Sequence, residues 1–176
     1  IGTAADLVAS ADIHLLAEPK RTVDSSTWQI PGLGSKIPFG FSAAYGQISG
    51  LTAVDVRRGA QLSAGDDLSV LAHSLNKLAV TSAAENSVDG NGNALKTMGL
   101  GFGMAMSDIE TRAVVENGVL LRVGEDVNVT ALTEQSLSNT VSFKASGEGA
   151  TGGPAVGLSL LDSVTRAEFS ADLADV

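Results

Sequence analysis

The residues of this sequence with the clearest capacity for chemistry are acidic side chains that recur in pairs. Asp66-Asp67 and Glu125-Asp126 each follow a glycine, and the second pair lies one sequence repeat after the first. Carboxylate oxygens are ligands that calcium prefers, and paired carboxylates also cleave glycosidic bonds. The same side chains suit a chain corner, where aspartate bonds to the nearby backbone. Because both pairs occupy one position of a repeat, the sequence favours corner residues, with calcium ligands as the alternative.

A second possible calcium site lies in the run DGNGN at 89–93. Asp89, Asn91 and Asn93 place side-chain oxygens at alternate positions, as the first half of a calcium-binding loop does. The next glycine and the distal glutamate of an EF-hand loop are missing. An Asn-Gly turn is therefore favoured, and a weak calcium site is the alternative.

The third candidate site is the segment 18–39, which interrupts the repeat described below. It holds Trp28, the only tryptophan, together with Lys20, Arg21 and Lys36 and three of the four prolines. An aromatic ring beside basic side chains can stack on a sugar and bind an acidic glycan. The same ring can also cap the open side of a hydrophobic core, and the sequence favours this second interpretation.

Several other function classes are disfavoured by composition and motif content. The two histidines lack metal-binding spacing, the chain has no cysteine, and the nucleophile motif Gly-x-Ser-x-Gly is absent, so we expect no enzyme. The net charge of −9 repels phosphate backbones, which disfavours nucleic acid as a partner. The apolar stretch at 98–106 is far shorter than the roughly 18 residues of a membrane span, so membrane insertion is not expected.

The elements that must position these residues are repeats. Residues 52–72 align without a gap on 111–131, and residues 99–113 align on 153–167. The repeat is therefore about 54–59 residues long, and its incomplete ends predict a piece of a longer array. The array divides into a partial unit at 1–51 with an irregular insertion at 18–39, a unit at 52–110, a unit at 111–164 and a partial unit at 165–176.

Apolar residues alternate within each repeat, which predicts β-strands. Val119, Leu121 and Val123 share one face, and Leu120 and Arg122 share the other. The segment 100–106 differs, because it alternates large residues with glycine and alanine and has no polar face. Here we expect the large side chains to fill the core. The glycine face would then let another backbone, or another copy of the chain, approach closely.

Short strands, glycine corners and a fixed period predict an all-β fold, a β-solenoid similar to a parallel β-helix, with a β-sandwich as the alternative. The sequence leaves open whether one repeat forms one coil or two. A single wide coil would stack Asp12, Asp67 and Asp126 about 4.8 Å apart, where their charges repel.

The segment GFGMAMSDIETRAVVENGVLLRVGEDVNVTA at 101–131 follows the pattern GxGxAxxxxxTxAxVxxGAxLxAGxDVxVxA, and the segment GFSAAYGQISGLTAVDVRRGAQLSAGDDLSVLA at 40–72 follows it in part. This pattern resembles the repeats of large bacterial surface or secreted proteins of the filamentous haemagglutinin type. The resemblance implies an extracellular stalk for reach, adhesion or attachment. Its partners would be neighbouring repeats and a cell-surface or host glycan or protein. A domain that binds or cleaves carbohydrate is the alternative function.

Overall fold

The computed structural model describes residues 1–30, 39–85, 98–144 and 153–173, and all the regular elements in these ranges are β-strands. The strands are β1 (Asp6–Ala9), β2 (Ile13–Ala17), β3 (Lys20–Ser26), β4 (Trp28–Ile30), β5 (Phe39–Val56), β6 (Gln61–Ala64), β7 (Leu68–Glu85), β8 (Met98–Val115), β9 (Leu120–Val123), β10 (Val127–Lys144), β11 (Ala155–Phe169) and β12 (Asp172–Leu173).

These strands form three sheets that the chain visits in turn. Sheet A contains β1, β6, β9 and β12, sheet B contains β2, β3, β7 and β10, and sheet C contains β4, β5, β8 and β11. All neighbouring strands in the described ranges are parallel except β4 and β5. A chain that returns to each sheet one strand further along is a parallel β-solenoid. The predicted solenoid is therefore confirmed, and the alternative of a sandwich built from hairpins is wrong.

Each sequence repeat forms one coil of the solenoid. Leu62 pairs with Leu121 in sheet A, and Val70 pairs with Val129 in sheet B, as in the gap-free alignment of 52–72 on 111–131. In sheet C, Phe102 pairs with Val156, as in the alignment of 99–113 on 153–167. In each of these pairs, the difference between the two residue numbers therefore equals the offset at which the sequence aligns with itself. One repeat is one wide coil, made of a short strand in sheet A and long strands in sheets B and C.

The described part of the predicted insertion, residues 18–30, is more regular than the sequence indicates. Lys20–Ser26 forms β3 and pairs in parallel with β7 over its whole length, beginning at Lys20 opposite Leu75. Only β4 departs from the pattern, because it runs antiparallel along the outer edge of β5, with Trp28 opposite Ala43. Residues 18–30 thus continue sheet B and then add a short strand to the first edge of sheet C.

The core consists of two apolar clusters separated by small polar side chains. The first cluster lies where the three sheets meet and includes the fully buried Leu68 and Leu121, and the second lies between sheets B and C around Leu78 and Ile109. Between the clusters the Ser74 hydroxyl lies 2.8 Å from the Thr111 hydroxyl. Buried hydroxyls that bond to each other avoid the cost of an unpaired polar group.

In β8 the structure reverses the expected orientation of the side chains. Gly99, Gly101 and Gly103 face inward and are buried, and the large residues between them face outward. The interior space is taken by β10 instead, since a Cβ at Gly101 would lie 2.9 Å from Val141. The prediction that the large residues of 100–106 fill the core is therefore wrong, and the glycines serve the close approach of sheet B.

Candidate functional site

The paired acids lie at the corner between sheets A and B, where one aspartate of each coil joins a hydrogen-bonded ladder. The Asp67 backbone N–H donates to Asp12 Oδ1 at 3.2 Å, and the Asp126 N–H donates to Asp67 Oδ1 at 3.0 Å. Each carboxylate thus accepts a hydrogen bond from the next coil, which offsets the repulsion expected of stacked aspartates. Asp66 and Glu125 take part through their backbones, because the Glu125 N–H donates to the Asp66 carbonyl at 3.0 Å.

This geometry gives the predicted corner role a physical basis. Among the described residues, no group of three or more histidine, aspartate or glutamate side chains is placed to hold a metal ion. The run with Asp89, Asn91 and Asn93 lies outside the described residues, so the second calcium hypothesis stays a prediction.

Of the four residues predicted for glycan binding, Arg21 points toward the interior. Its guanidinium donates to the Thr52 hydroxyl at 3.2 Å, to Asn76 Oδ1 at 3.4 Å and to the Leu51 carbonyl at 3.1 Å. These bonds join sheets B and C at the first coil. Arg21 therefore extends the polar layer of the core and uses three of its five N–H donors there.

Lys20 is exposed and lines a small groove of about 210 Å³ on the outside of sheet B, with Lys77 and Glu134 among its neighbours. The backbone of Trp28 lies in β4. The Trp28 side chain and all of Lys36 lie outside what the structure describes. Two of the four predicted residues, Lys20 and Arg21, therefore line this groove, and Lys20 is the exposed one of the two.

An ion pair links the first two coils on the outside of sheet C. Arg112 Nε donates to Asp55 Oδ1 at 3.0 Å, and a terminal nitrogen of Arg112 lies 2.7 Å from Asp55 Oδ2. The hydrogen bond and charge of Asp55 raise the pKa of Arg112, with Glu110 adding to this effect and burial opposing it. A raised pKa keeps the guanidinium charged, so its contribution to stability is fully present at neutral pH and is lost as the pH rises into strong alkali.

A second polar contact crosses three coils on the outside of sheet B. His73 Nδ1 lies 3.4 Å from the Glu18 carboxylate, and His73 Nε2 lies 3.0 Å from the Glu134 carboxylate. The histidine ring is largely covered, with 17% of its side chain exposed. Sequence spacing did not identify this contact, because its three members come from three different coils.

Sequence reasoning also missed an apolar surface on the outside of sheet C. We call it the sheet C patch. Its outward rows run across the three coils as Phe41 with Leu100, Ala43 with Phe102 and Val156, Tyr45 with Met104 and Leu158, and Gln47 with Met106 and Leu160. Tyr45 is 54% exposed, Phe102 37% and Leu158 43%. Beyond Met106 the same face becomes charged, beginning with Asp108 and Asp162.

Comparison with known proteins gives no match from which a function could be transferred. No family model matches the chain, and no curated protein or solved structure shows significant similarity to it. The ranges that the structure describes contain no helix with the length and hydropathy of a membrane span.

Proposed function

We propose that this chain is a structural segment of an extracellular or surface-attached bacterial protein, where it extends and spaces other parts of a stalk. The observation that supports this proposal is that each sequence repeat forms one coil of the solenoid. The two shifts at which the sequence matches itself are also the strand registers of the stacked coils. Each further repeat then adds one coil, and the stalk lengthens in proportion to the repeat number.

The chemistry of the corner supports a structural role. The aspartate ladder uses side-chain oxygens to fix one coil on the next, at 3.2 Å and 3.0 Å in two successive steps. A residue that recurs once in each coil and bonds to its own repeat suits a spacer. We accordingly assign these acids no catalytic role.

An experiment on chain length tests the spacer function. Inserting about ten further copies of 57–115 after Val115 should lengthen the particle by about 48 Å, since neighbouring strands lie about 4.8 Å apart. Small-angle X-ray scattering or negative-stain electron microscopy measures the length. The matched control is an insert of the same composition with its sequence shuffled. A native insert that fails to elongate the particle would contradict the proposal.

A second candidate function is binding of an acidic glycan at the groove on sheet B. It is favoured by the exposed Lys20 and Lys77, which both line the groove. The ligand would be a glycan of a host or bacterial surface. Binding to a glycan array should fall in Lys20→Ala and Lys77→Ala and persist in Arg122→Ala, an exposed basic residue on sheet A. Absence of wild-type binding to any acidic glycan would exclude this function.

A further inference from the structure

The sheet C patch is a continuous apolar surface on the outside of the solenoid. It extends over three coils, and its exposed members include Tyr45, Phe102, Val156, Leu158 and Leu160. Scattered apolar residues are normal on protein surfaces, but a contiguous apolar patch with a charged border is typical of an interaction site. The border here is formed by Asp108 and Asp162, which lie side by side in β8 and β11.

The one hydroxyl of the patch is already bonded to neighbouring side chains. The Tyr45 hydroxyl donates to Gln47 Oε1 at 2.7 Å and lies 3.7 Å from Met106 Sδ. A glycan requires free donors and acceptors as well as an apolar face, and this hydroxyl is engaged within the patch while most of the other side chains are apolar. The adjacent acids and the net charge of −9 also repel anionic lipid. The chemistry therefore favours an apolar protein surface as the partner.

A second copy of this sheet has the spacing that the patch requires. Outward side chains repeat about every 6.7 Å along a strand and about every 4.8 Å between strands. Another copy presents the same grid, and two sheets pack face to face about 10 Å apart with side chains interdigitated. We propose that the sheet C patch is a lateral interface at which two copies of the chain associate face to face around a two-fold axis.

The size of the patch sets the strength of this association. Three rows across three strands and one row across two strands cover about 350 Å² per copy, whereas a stable complex buries about 800 Å² per partner. The described segment should therefore form a weak dimer in rapid exchange. Each additional coil with the same rows widens the patch by about 4.8 Å, so longer arrays should associate more tightly.

Sedimentation equilibrium from micromolar to millimolar protein tests the proposal. The wild-type chain should fit a monomer–dimer equilibrium, and raising the salt from about 0.05 M to about 0.5 M should strengthen it by screening the like charges. The double variant Phe102→Ser, Leu158→Ser should weaken the dimer at least about tenfold. Circular dichroism should remain unchanged, because both side chains face outward.

The matched control is Val164→Ser, which alters a residue of β11 on the same outer face but within its charged half. Val164 is 54% exposed and pairs with Glu110, and its replacement should leave the dimer intact. The chain has no cysteine, so Met104→Cys offers a second readout. A bifunctional maleimide with a reach of about 10 Å should link two copies at this position, because face-to-face sheets are about 10 Å apart, and Val164→Cys should give much less product.

Three results would overturn the proposal. The first is a wild-type chain that remains monomeric at millimolar concentration. The second is a series of oligomers beyond the dimer that persists in the double variant, because end-to-end stacking of coils does not close. The third is binding of the monomer to neutral phosphatidylcholine vesicles that the double variant loses, which would assign the patch to lipid.

Discussion

Two adjacent leucines of β9 have opposite environments, and this contrast defines the inside of the solenoid at the scale of single residues. Leu121 is fully buried in the first apolar cluster, and Leu120 is 53% exposed on the outer face of sheet A. The alternation of the strand places them on opposite faces although they are chemically identical.

We expect Leu121→Ala to lower the free energy of unfolding by about 2–5 kcal/mol, through lost burial and the cavity that remains. Leu120→Ala should change it by less than about 0.5 kcal/mol, because the site is already solvated. Urea denaturation of both variants measures the difference. Equal effects would mean that the faces of sheet A are wrongly assigned.

The aspartate ladder gives a second prediction for a single residue. Asp67→Ala removes the acceptor for the Asp126 N–H and should cost about 1 kcal/mol, whereas Asp67→Asn retains an oxygen there and should cost less. The control is Asp66→Ala, because the Asp66 side chain makes no hydrogen bond within the described part of the chain. Thermal unfolding compares the three variants, and a larger loss in Asp66→Ala would contradict the ladder.

At the scale of elements, the close approach of sheets B and C depends on which glycines line the gap. Gly103 and Gly157 occupy the same register in β8 and β11. A Cβ at Gly103 would lie 2.5 Å from Val141 and 2.6 Å from Asn139, while a Cβ at Gly157 would have no heavy atom closer than 3.4 Å. The middle coil is therefore tightly packed at this position, and the last described coil has room.

Gly103→Ala should accordingly destabilise the chain by about 1–3 kcal/mol, as overpacked cores do. Gly157→Ala should be neutral or slightly stabilising, because alanine restricts the unfolded chain more than glycine does. Chemical denaturation with the two variants side by side tests this. A destabilised Gly157→Ala together with an unaffected Gly103→Ala would refute the observed packing of sheet B on sheet C.

The link between coils on the outside of sheet C permits a similar comparison. Arg112 and Arg166 occupy equivalent positions, but Arg112 reaches Asp55 of the previous coil and Arg166 pairs with Glu168 of its own strand. Arg112→Ala should cost up to about 1 kcal/mol and Arg166→Ala close to nothing. The Arg112 effect should shrink at about 1 M salt. If the stability loss in Arg112→Ala did not change with salt, it would come from lost packing of the side chain and would contradict a role for its charge.

At the scale of the whole molecule, the solenoid is a stack whose order is fixed by repeated side chains. The aspartate ladder recurs once per coil, and the two apolar clusters extend across neighbouring coils. The unfolding of the described segment should therefore be cooperative across coils, since each coil buries its edge on the next.

The corner aspartates also decide how the whole molecule should respond to calcium. Because Asp12 and Asp67 direct an oxygen to the next coil, we expect the melting temperature to be the same with and without millimolar calcium. Circular dichroism at increasing temperature measures it. A rise with calcium would show a ligand bound to the folded state, and a rise that persists in Asp67→Asn would assign it to the segment with Asp89, Asn91 and Asn93.

Much of this architecture follows from the sequence, because each repeat stacks on a near copy of itself. The matches between Leu62 and Leu121 and between Val70 and Val129 are the observed cross-coil pairs. Asp67 and Asp126 also occupy the same corner of successive coils. The faces of sheets A and B were predictable as well, since polar residues alternate with apolar ones there.

The sheet C patch was not predicted, although the sequence carried a signal for it. Phe102, Met104 and Met106 have the same parity as Asp108 and Glu110, so in one unbroken strand they must share the outer face. A single bulge between them would reverse that conclusion. The pairing of β8 with β5 and β11 along its whole length is what excludes a bulge.

The sequence alone therefore determined the repeat and the alternation of faces in sheets A and B, because these depend on neighbouring residues and on near-identical units. Only the tertiary structure decided that one repeat is one coil and that the glycines of β8 face inward. Both depend on side chains that are distant in sequence. Val141 and Asn139 of β10 fill the interior opposite Gly103, and this competition for volume is absent from any local pattern.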